Sequence, residues 1–141
     1  MPEIISGKLP NQAYFALGFD FGSKKIGVAS GQSLTGTASP LDILKANNGI
    51  PNWDDIGQLV QQWQPQLIIV GLPLNMDGSE SDLSLRAKKF ARRLAANHTC
   101  AVGLMDERLT SREARELSSH DGQVDHIAAA LILESWFNSN R

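Results

Sequence analysis

Carboxylates fall at three telling places in the chain: Asp20, the pair Asp106-Glu107, and Asp125. Asp20 closes an apolar run that begins at Tyr14. Asp106 and Glu107 follow the apolar stretch Ala101 to Met105. Asp125 opens a stretch that is apolar almost throughout to Phe137. Carboxylates gathered at one point repel, and burying them is costly unless they are neutralised. Two divalent cations about 4 Å apart neutralise them and can cut a phosphodiester. One ion generates hydroxide from water and the other steadies the departing oxygen. An all-oxygen donor set favours Mg2+ or Mn2+. Nothing points to zinc, since Cys100 stands alone and His98, His120 and His126 lack paired ligand spacing.

Each acid also has a plainer role open to it. Asp20 precedes Gly22 and suits a turn. Asp125 is a good N-cap for a buried helix. Asp106 and Glu107 are adjacent, so on a continuing strand they face opposite ways and one at most meets Asp20. Spacing alone leaves that choice open. The basic face at 86 to 93 suits a solvated helix, and Trp53, Trp63 and Trp136 lie in helical stripes suited to a core.

The elements that must carry these residues can be read in order. Residues 1–13 are polar and lack periodicity, and read as a loose lead-in. Tyr14–Phe21 reads as a strand buried on both faces. Alternation places Tyr14, Ala16, Gly18 and Asp20 on one face, the face of small residues. Gly22-Ser23-Lys24-Lys25 reads as a turn, with strands at Ile26–Gly31 and Thr35–Leu41 following antiparallel. Asn47-Asn48-Gly49 and Pro51 interrupt as a loop. A helix starts at Asn52, with Ile56, Leu59, Val60 and Trp63 on one face, and Pro65 ends it. Leu67–Val70 is a buried strand, and Leu72–Glu80 is a loop shaped by Pro73, Asn75 and Gly78. A helix over Ser81–Asn97 carries a stripe of Leu83, Ala87, Phe90, Ala91 and Leu94. Ala101–Met105 is the last strand. Thr110 with Glu113 opens a short helix to Leu117, and Asp125–Phe137 is a buried helix. Strands separated by helices pair in parallel. The expected fold is thus α/β: a mixed five-stranded sheet, three antiparallel strands then parallel ones, with helices on both faces.

A chain of 141 residues suits a single domain, 1–141. A lone cysteine fits a reducing compartment, and the first residues lack the pattern of a secretory signal, so cytoplasmic is the default. The net charge of −2 leaves nucleic-acid binding to local clustering. Such clustering exists. Arg86, Lys88, Lys89, Arg92, Arg93, Arg108, Arg112 and Arg115 outnumber Asp106, Glu107, Glu113 and Glu116 two to one. The helix they begin on would hold phosphates through Lys89 and Arg93.

Four stretches together carry a family resemblance. FDFGSKKIGVASGQ, IIVGLPLNMDGSE, DERLTS and VDHIAAALILE resemble, in order, the four motifs of the YqgF family. Its bacterial members are described as pre-16S rRNA nucleases and, earlier, as Holliday junction resolvases. The resemblance runs from Tyr14 to Phe137. It implies an RNase H-like fold and a metal-dependent nuclease processing the 5′ end of precursor 16S rRNA. It implies Asp20, Glu107 (rather than Asp106) and Asp125 as catalytic and metal-binding acids. Gly22 and Lys24 would lie beside them. Asn75 and Gly78 would approach the substrate backbone, and Arg108, Thr110 and Ser111 would hold phosphate. One departure stands out: the loop Ser118–Val124 is shorter than family members commonly have, and lacks Lys and Arg. Two other readings follow from the same residues. One is a branched-DNA resolvase, which would act as a homodimer. The other is a non-catalytic RNA- or ribosome-binding module, for which three costly acids serve little purpose.

Overall fold

A computed structural model describes residues 3–75, 77–106 and 124–139, the side chains of Val124 and Asp125 excepted. Its strands are β1 (Glu3–Ser6), β2 (Phe15–Asp20), β3 (Lys25–Gln32), β4 (Thr37–Asn47), β5 (Ile50–Pro51), β6 (Leu67–Leu72) and β7 (Ala101–Asp106). The helices are α1 (Trp53–Trp63), α2 (Asp82–Asn97) and α3 (Val124–Ser139). The expected short helix after Thr110 lies outside the described residues, as does nearly all of the loop before Asp125.

Among the described residues the sheet has seven strands in the order β1-β7-β6-β2-β3-β4-β5, not the five expected. β2, β6 and β7 are parallel, and β3 and β4 follow antiparallel, as the connections require. The two additional strands have local causes. Glu3–Ser6, expected as part of a loose lead-in, pairs antiparallel with β7 and covers its outer edge. Ile4 and Ile5 pack on opposite faces of the sheet, so no one-sided pattern announces them. Of Asn47-Asn48-Gly49, expected as a loop, Asn47 ends β4 and Asn48-Gly49 is the turn of a hairpin joining β4 to β5, with φ +53° at Asn48 and +81° at Gly49. β4 also runs past Leu41, where the third strand was expected to end. A register shift where Val28 pairs Asp42 and Ala29 pairs Pro40 leaves Leu41 as the extra residue. That bulge is how a strand accommodates Pro40.

Each helix is fixed by its ends. Asn52 Oδ1 caps α1 by accepting from the Asp54 amide at 3.0 Å, and Asp54 and Asp55 sit at the positive end of the helix dipole. Gln64, at φ +46°, stops α1 immediately before Pro65. Ser81 and Ser84 form a reciprocal capping box at the start of α2.

Two layers cover the sheet. Leu17, Phe19, Ile26, Val28, Ile68, Val70, Val102 and Leu104 meet Ile56 of α1 and Ala87, Phe90, Ala91 and Leu94 of α2. On the other face Tyr14, Ala16, Ala29, Leu67, Ile69 and Ala101 meet Ala129, Ile132, Leu133, Trp136 and Phe137 of α3. Each fully buried Leu, Ile or Phe contributes about 1.5–3 kcal/mol relative to exposure. Trp136 is buried, as its stripe implies, and donates from Nε1 to the Tyr14 hydroxyl at 3.2 Å. Trp63 is not core, since 36% of it is exposed at the end of α1.

Candidate active site

Asp20 is the last residue of β2, half-buried at the C-terminal edge of the parallel strands. Ligands of open α/β sheets bind beyond such edges. The chain turns away at once because Gly22 allows it: a β-carbon there would stand 2.5 Å from the Lys25 carbonyl oxygen. The turn is held from outside. The Ala46 amide donates to the Lys24 carbonyl and the Gly49 amide to that of Ser23, both at 2.8 Å. Lys24 itself is exposed.

The expected small-residue face is where α3 seats. A β-carbon on Gly18 would lie 2.6 Å from Leu133 Cγ and 3.1 Å from the Ala129 carbonyl oxygen. Just before β2, Tyr14 meets Trp136 and Phe137. α3 therefore runs against the direction of β2, with its N-terminal end toward Asp20. Position 125 lies one turn, about 5.4 Å, before Ala129. Asp20 lies two strand residues, about 6.7 Å, beyond Gly18. Backbone geometry thus brings position 125 to the level of Asp20.

The cross-strand register separates Asp106 from this face. Asp106 pairs with Leu72 and alternates with Val102 and Leu104, which belong to the core under α1 and α2. Met105 and Ala101 pack on the α3 side, with Ala16. Asp20 and Asp106 therefore end their strands on opposite faces of the sheet. Glu107, Arg108, Thr110 and Ser111 lie outside the described residues. Among the described residues no three His, Cys, Asp or Glu side chains are grouped to hold a metal ion. The donor chemistry suits a hard divalent cation: a half-buried carboxylate at 20, with the acids that the sequence carries at 107 and 125.

Residues of the second motif hold their own loop together. Asn75 Nδ2 donates to Ser79 Oγ at 3.0 Å and to the Glu80 carbonyl at 3.4 Å. Gly78, at φ +89°, donates its amide to the Asn75 carbonyl at 2.8 Å. Asp77 accepts from the Ser79 amide and hydroxyl at 2.9 and 2.6 Å. Ser81 Oγ then donates to the Pro73 carbonyl at 2.8 Å, which ties the loop to α2.

The basic face of α2 is more differentiated than a solvated helix. Lys88 pairs with Glu80 at 2.7 Å. Arg86 reaches Asp82 at 3.4 Å and Asn48 Oδ1 at 3.2 Å. Arg93 lies 5.1 Å above the Trp53 ring. Arg86, Lys89 and Arg93 line a cleft of about 270 Å³ against the β4–β5 hairpin, with Trp53 also in its wall. Sequence reasoning named Lys89 and Arg93 but missed Asn48 and the hairpin. The signal was the Asn48-Gly49 dipeptide, the commonest mark of a two-residue hairpin turn.

Comparison with known proteins agrees with this fold. The family described as "RuvX: Holliday junction resolvase" matches residues 15–139. A protein of Pasteurella multocida named "Putative pre-16S rRNA nuclease" is 55% identical over 133 residues, 89% of this chain and 95% of its own. One of the same name from Shewanella denitrificans is 53% identical over 131 residues, covering 87% and 93%. Two solved structures share the fold at low identity. The T. thermophilus RuvC in complex with a Holliday junction substrate has a TM-score of 0.52 at 15% identity, covering 89% of this chain and 94% of its own. The fowlpox virus resolvase with its junction DNA has a TM-score of 0.54 at 14% identity, covering 89% and 98%. The match along nearly the whole chain and the identity to these relatives establish that the protein belongs to the RuvX (YqgF) family.

Proposed function

We propose that the protein is a metal-dependent nuclease that trims the 5′ end of precursor 16S rRNA, acting in the cytoplasm during ribosome assembly. One observation carries this reading: Asp20 stands on the glycine-bearing face of β2, where α3 brings the backbone of position 125 to its level. The names carried by the relatives from Pasteurella multocida and Shewanella denitrificans supply the RNA. Asp20, Glu107 and Asp125 would hold Mg2+ or Mn2+, two ions in full occupancy. When bound, these ions offset the charge of the scissile phosphate and lower the pKa of water. The chain's own residues position the substrate. Gly22 keeps the turn beside Asp20 low, and Lys24 projects from it into solvent. Arg108, Thr110 and Ser111 would hold phosphate oxygens. Asn75 and Gly78 would shape the second loop, whose internal hydrogen bonds fix it where it would approach the substrate backbone.

A second reading has a specific observation behind it. The family description and the two solved relatives name Holliday junctions, so branched DNA is the alternative substrate. Purified protein and its Asp20→Asn variant are to be incubated with a precursor rRNA 5′ end and with a four-way DNA junction, each with Mg2+ or Mn2+. Cleavage of the rRNA end by the unsubstituted protein alone supports the proposal. Cleavage of the junction alone replaces it with the resolvase. Equal cleavage by Asp20→Asn removes Asp20 from the site. Tight RNA binding without cleavage of either leaves a binding module.

A further inference from the structure

The cleft between α2 and the β4–β5 hairpin is on the far side of the sheet from the Asp20 face. Its wall includes Phe21, the residue directly after Asp20, whose side chain points into the α1/α2 core. Gly49 packs against that ring: a β-carbon there would stand 3.0 Å from Phe21 Cζ. The cleft and the candidate active site are thus joined through two consecutive residues at the end of one strand.

Three features distinguish the cleft from a solvated basic face. Arg86, Lys89 and Arg93 recur at helical spacing and line it together, and none of the described residues lining it is acidic. Its guanidinium groups are held in place, Arg86 by Asn48 and Asp82 and Arg93 by the Trp53 ring. Lys89 has no ion pair among the described residues and leaves its charge available. Preset cations in a concave site are worth more to an anion than mobile ones, because less side-chain entropy is lost on binding.

Size and packing narrow the ligand. At about 270 Å³ the cleft admits a small-molecule-sized group such as a nucleotide phosphate and sugar, and is too small to enclose a duplex. Trp53 is already engaged by Phe90, with ring centroids 5.5 Å apart, and by Arg93. The indole therefore serves to hold the arginine, and recognition falls on phosphate rather than on a stacked base. We infer that this cleft is an anchoring subsite for the phosphates of a single-stranded RNA segment flanking the cleavage point. The strand passes from the Asp20 edge around the β2–β3 turn into the cleft. This rests on the nuclease reading for its link to cleavage, but binding can be measured without it.

The test uses the Asp20→Asn full-length chain in EDTA, so that binding is read without cleavage. Fluorescence anisotropy compares a labelled 12-nucleotide single-stranded RNA with a blunt RNA duplex of the same length. The triple variant Arg86→Gln, Lys89→Gln, Arg93→Gln is compared with Arg92→Gln, an exposed arginine outside the cleft. The inference expects single-strand affinity to fall at least tenfold in the triple variant, and the salt slope to drop by about 2, at about 0.7 for each lost phosphate contact. Duplex binding and the Arg92→Gln variant should change less than twofold. Equal losses for single strand and duplex, or no difference between triple variant and Arg92→Gln, would overturn it. Photocrosslinking of 4-thiouridine RNA to the chain carrying only Asp20→Asn guards against misfolded variants. Crosslinks at Asn48, Gly49, Ile50, Pro51, Trp53, Arg86, Lys89, Phe90 or Arg93 support the cleft, and crosslinks only elsewhere refute it. A protein that cuts nothing yet shows this pattern has lost the nuclease reading and kept the subsite.

Discussion

Gly18 of β2 lies directly beneath Leu133 of α3, so close that a β-carbon at position 18 would stand 2.6 Å from Leu133 Cγ. Strand and helix can meet at this distance only while position 18 lacks a side chain. Gly18→Ala should therefore cost about 1–3 kcal/mol, as over-packing does. It should also lift the N-terminal part of α3, and a displacement near 1 Å costs about 10²-fold in a positioned reaction. Urea unfolding and single-turnover cleavage read the two effects. Leu133→Ala, itself destabilising, should relieve part of the Gly18→Ala defect when the two are combined. An unchanged urea midpoint for Gly18→Ala would show that α3 is not seated there.

Ser81 joins two parts of the site scaffold. Its hydroxyl accepts from the Ser84 amide at 2.9 Å and donates to the Pro73 carbonyl at 2.8 Å. Ser81→Ala should cost about 1–2 kcal/mol, the usual worth of a cap with a second hydrogen bond. For a domain of this size that is a fall in Tm of about 3–8 °C. Differential scanning calorimetry checks it, and Ser81→Asp, which can cap but not donate, should recover part of the loss.

What the sequence discloses depends on how local the cause is. Leu67–Val70 is legible as a strand because both its faces are buried and the run is unbroken. Asn52 and Ser81 are legible as caps because the partner amides lie two or three residues away. β1 is not legible, because four residues with Ile4 and Ile5 on opposite faces acquire strand geometry only from the edge of β7. Alternation discloses the face of Asp20. The choice between Asp106 and Glu107 is not disclosed by spacing, since the face of Asp106 follows from its pairing with Leu72. The cleft is legible only in part: Lys89 and Arg93 share a basic helix face, but the meeting of Asn48, Trp53 and Arg86 from separate parts of the chain is a tertiary fact.

Cys100 is half-buried ahead of β7, and desolvation pushes its thiol pKa up, against a smaller opposing effect of a backbone hydrogen bond. At pH 8 less of it is thiolate than of a free cysteine, so iodoacetamide should modify it more slowly than free cysteine, and at the ordinary rate in urea. The folded state holds this proton more tightly than the unfolded one. Stability linked to Cys100 is therefore present below the ordinary thiol pKa and is lost as pH rises through the folded value. Cys100→Ser should flatten this alkaline dependence in unfolding curves, and an unchanged slope would show that another group carries it.

Asp20 and Asp106 end their strands on opposite faces of the sheet, and this gives the site its sharpest test. Replacing a carboxylate that holds a catalytic cation forfeits several kcal/mol of charge stabilisation, or about 10³-fold in rate. Asp20→Asn should show that loss in single-turnover cleavage at saturating Mg2+, with chelation of the metal by EDTA doing the same to the unsubstituted protein. Asp106→Asn should stay within about threefold, because a side chain on the α2 side would not reach ions that Asp20 would hold on the α3 side. Binding of the substrate in EDTA should be similar for both variants, which separates lost catalysis from lost folding. If Asp106→Asn fell as far as Asp20→Asn, Asp106 rather than Glu107 would be the acid that joins Asp20. The strand would then have to twist out of register before its last residue.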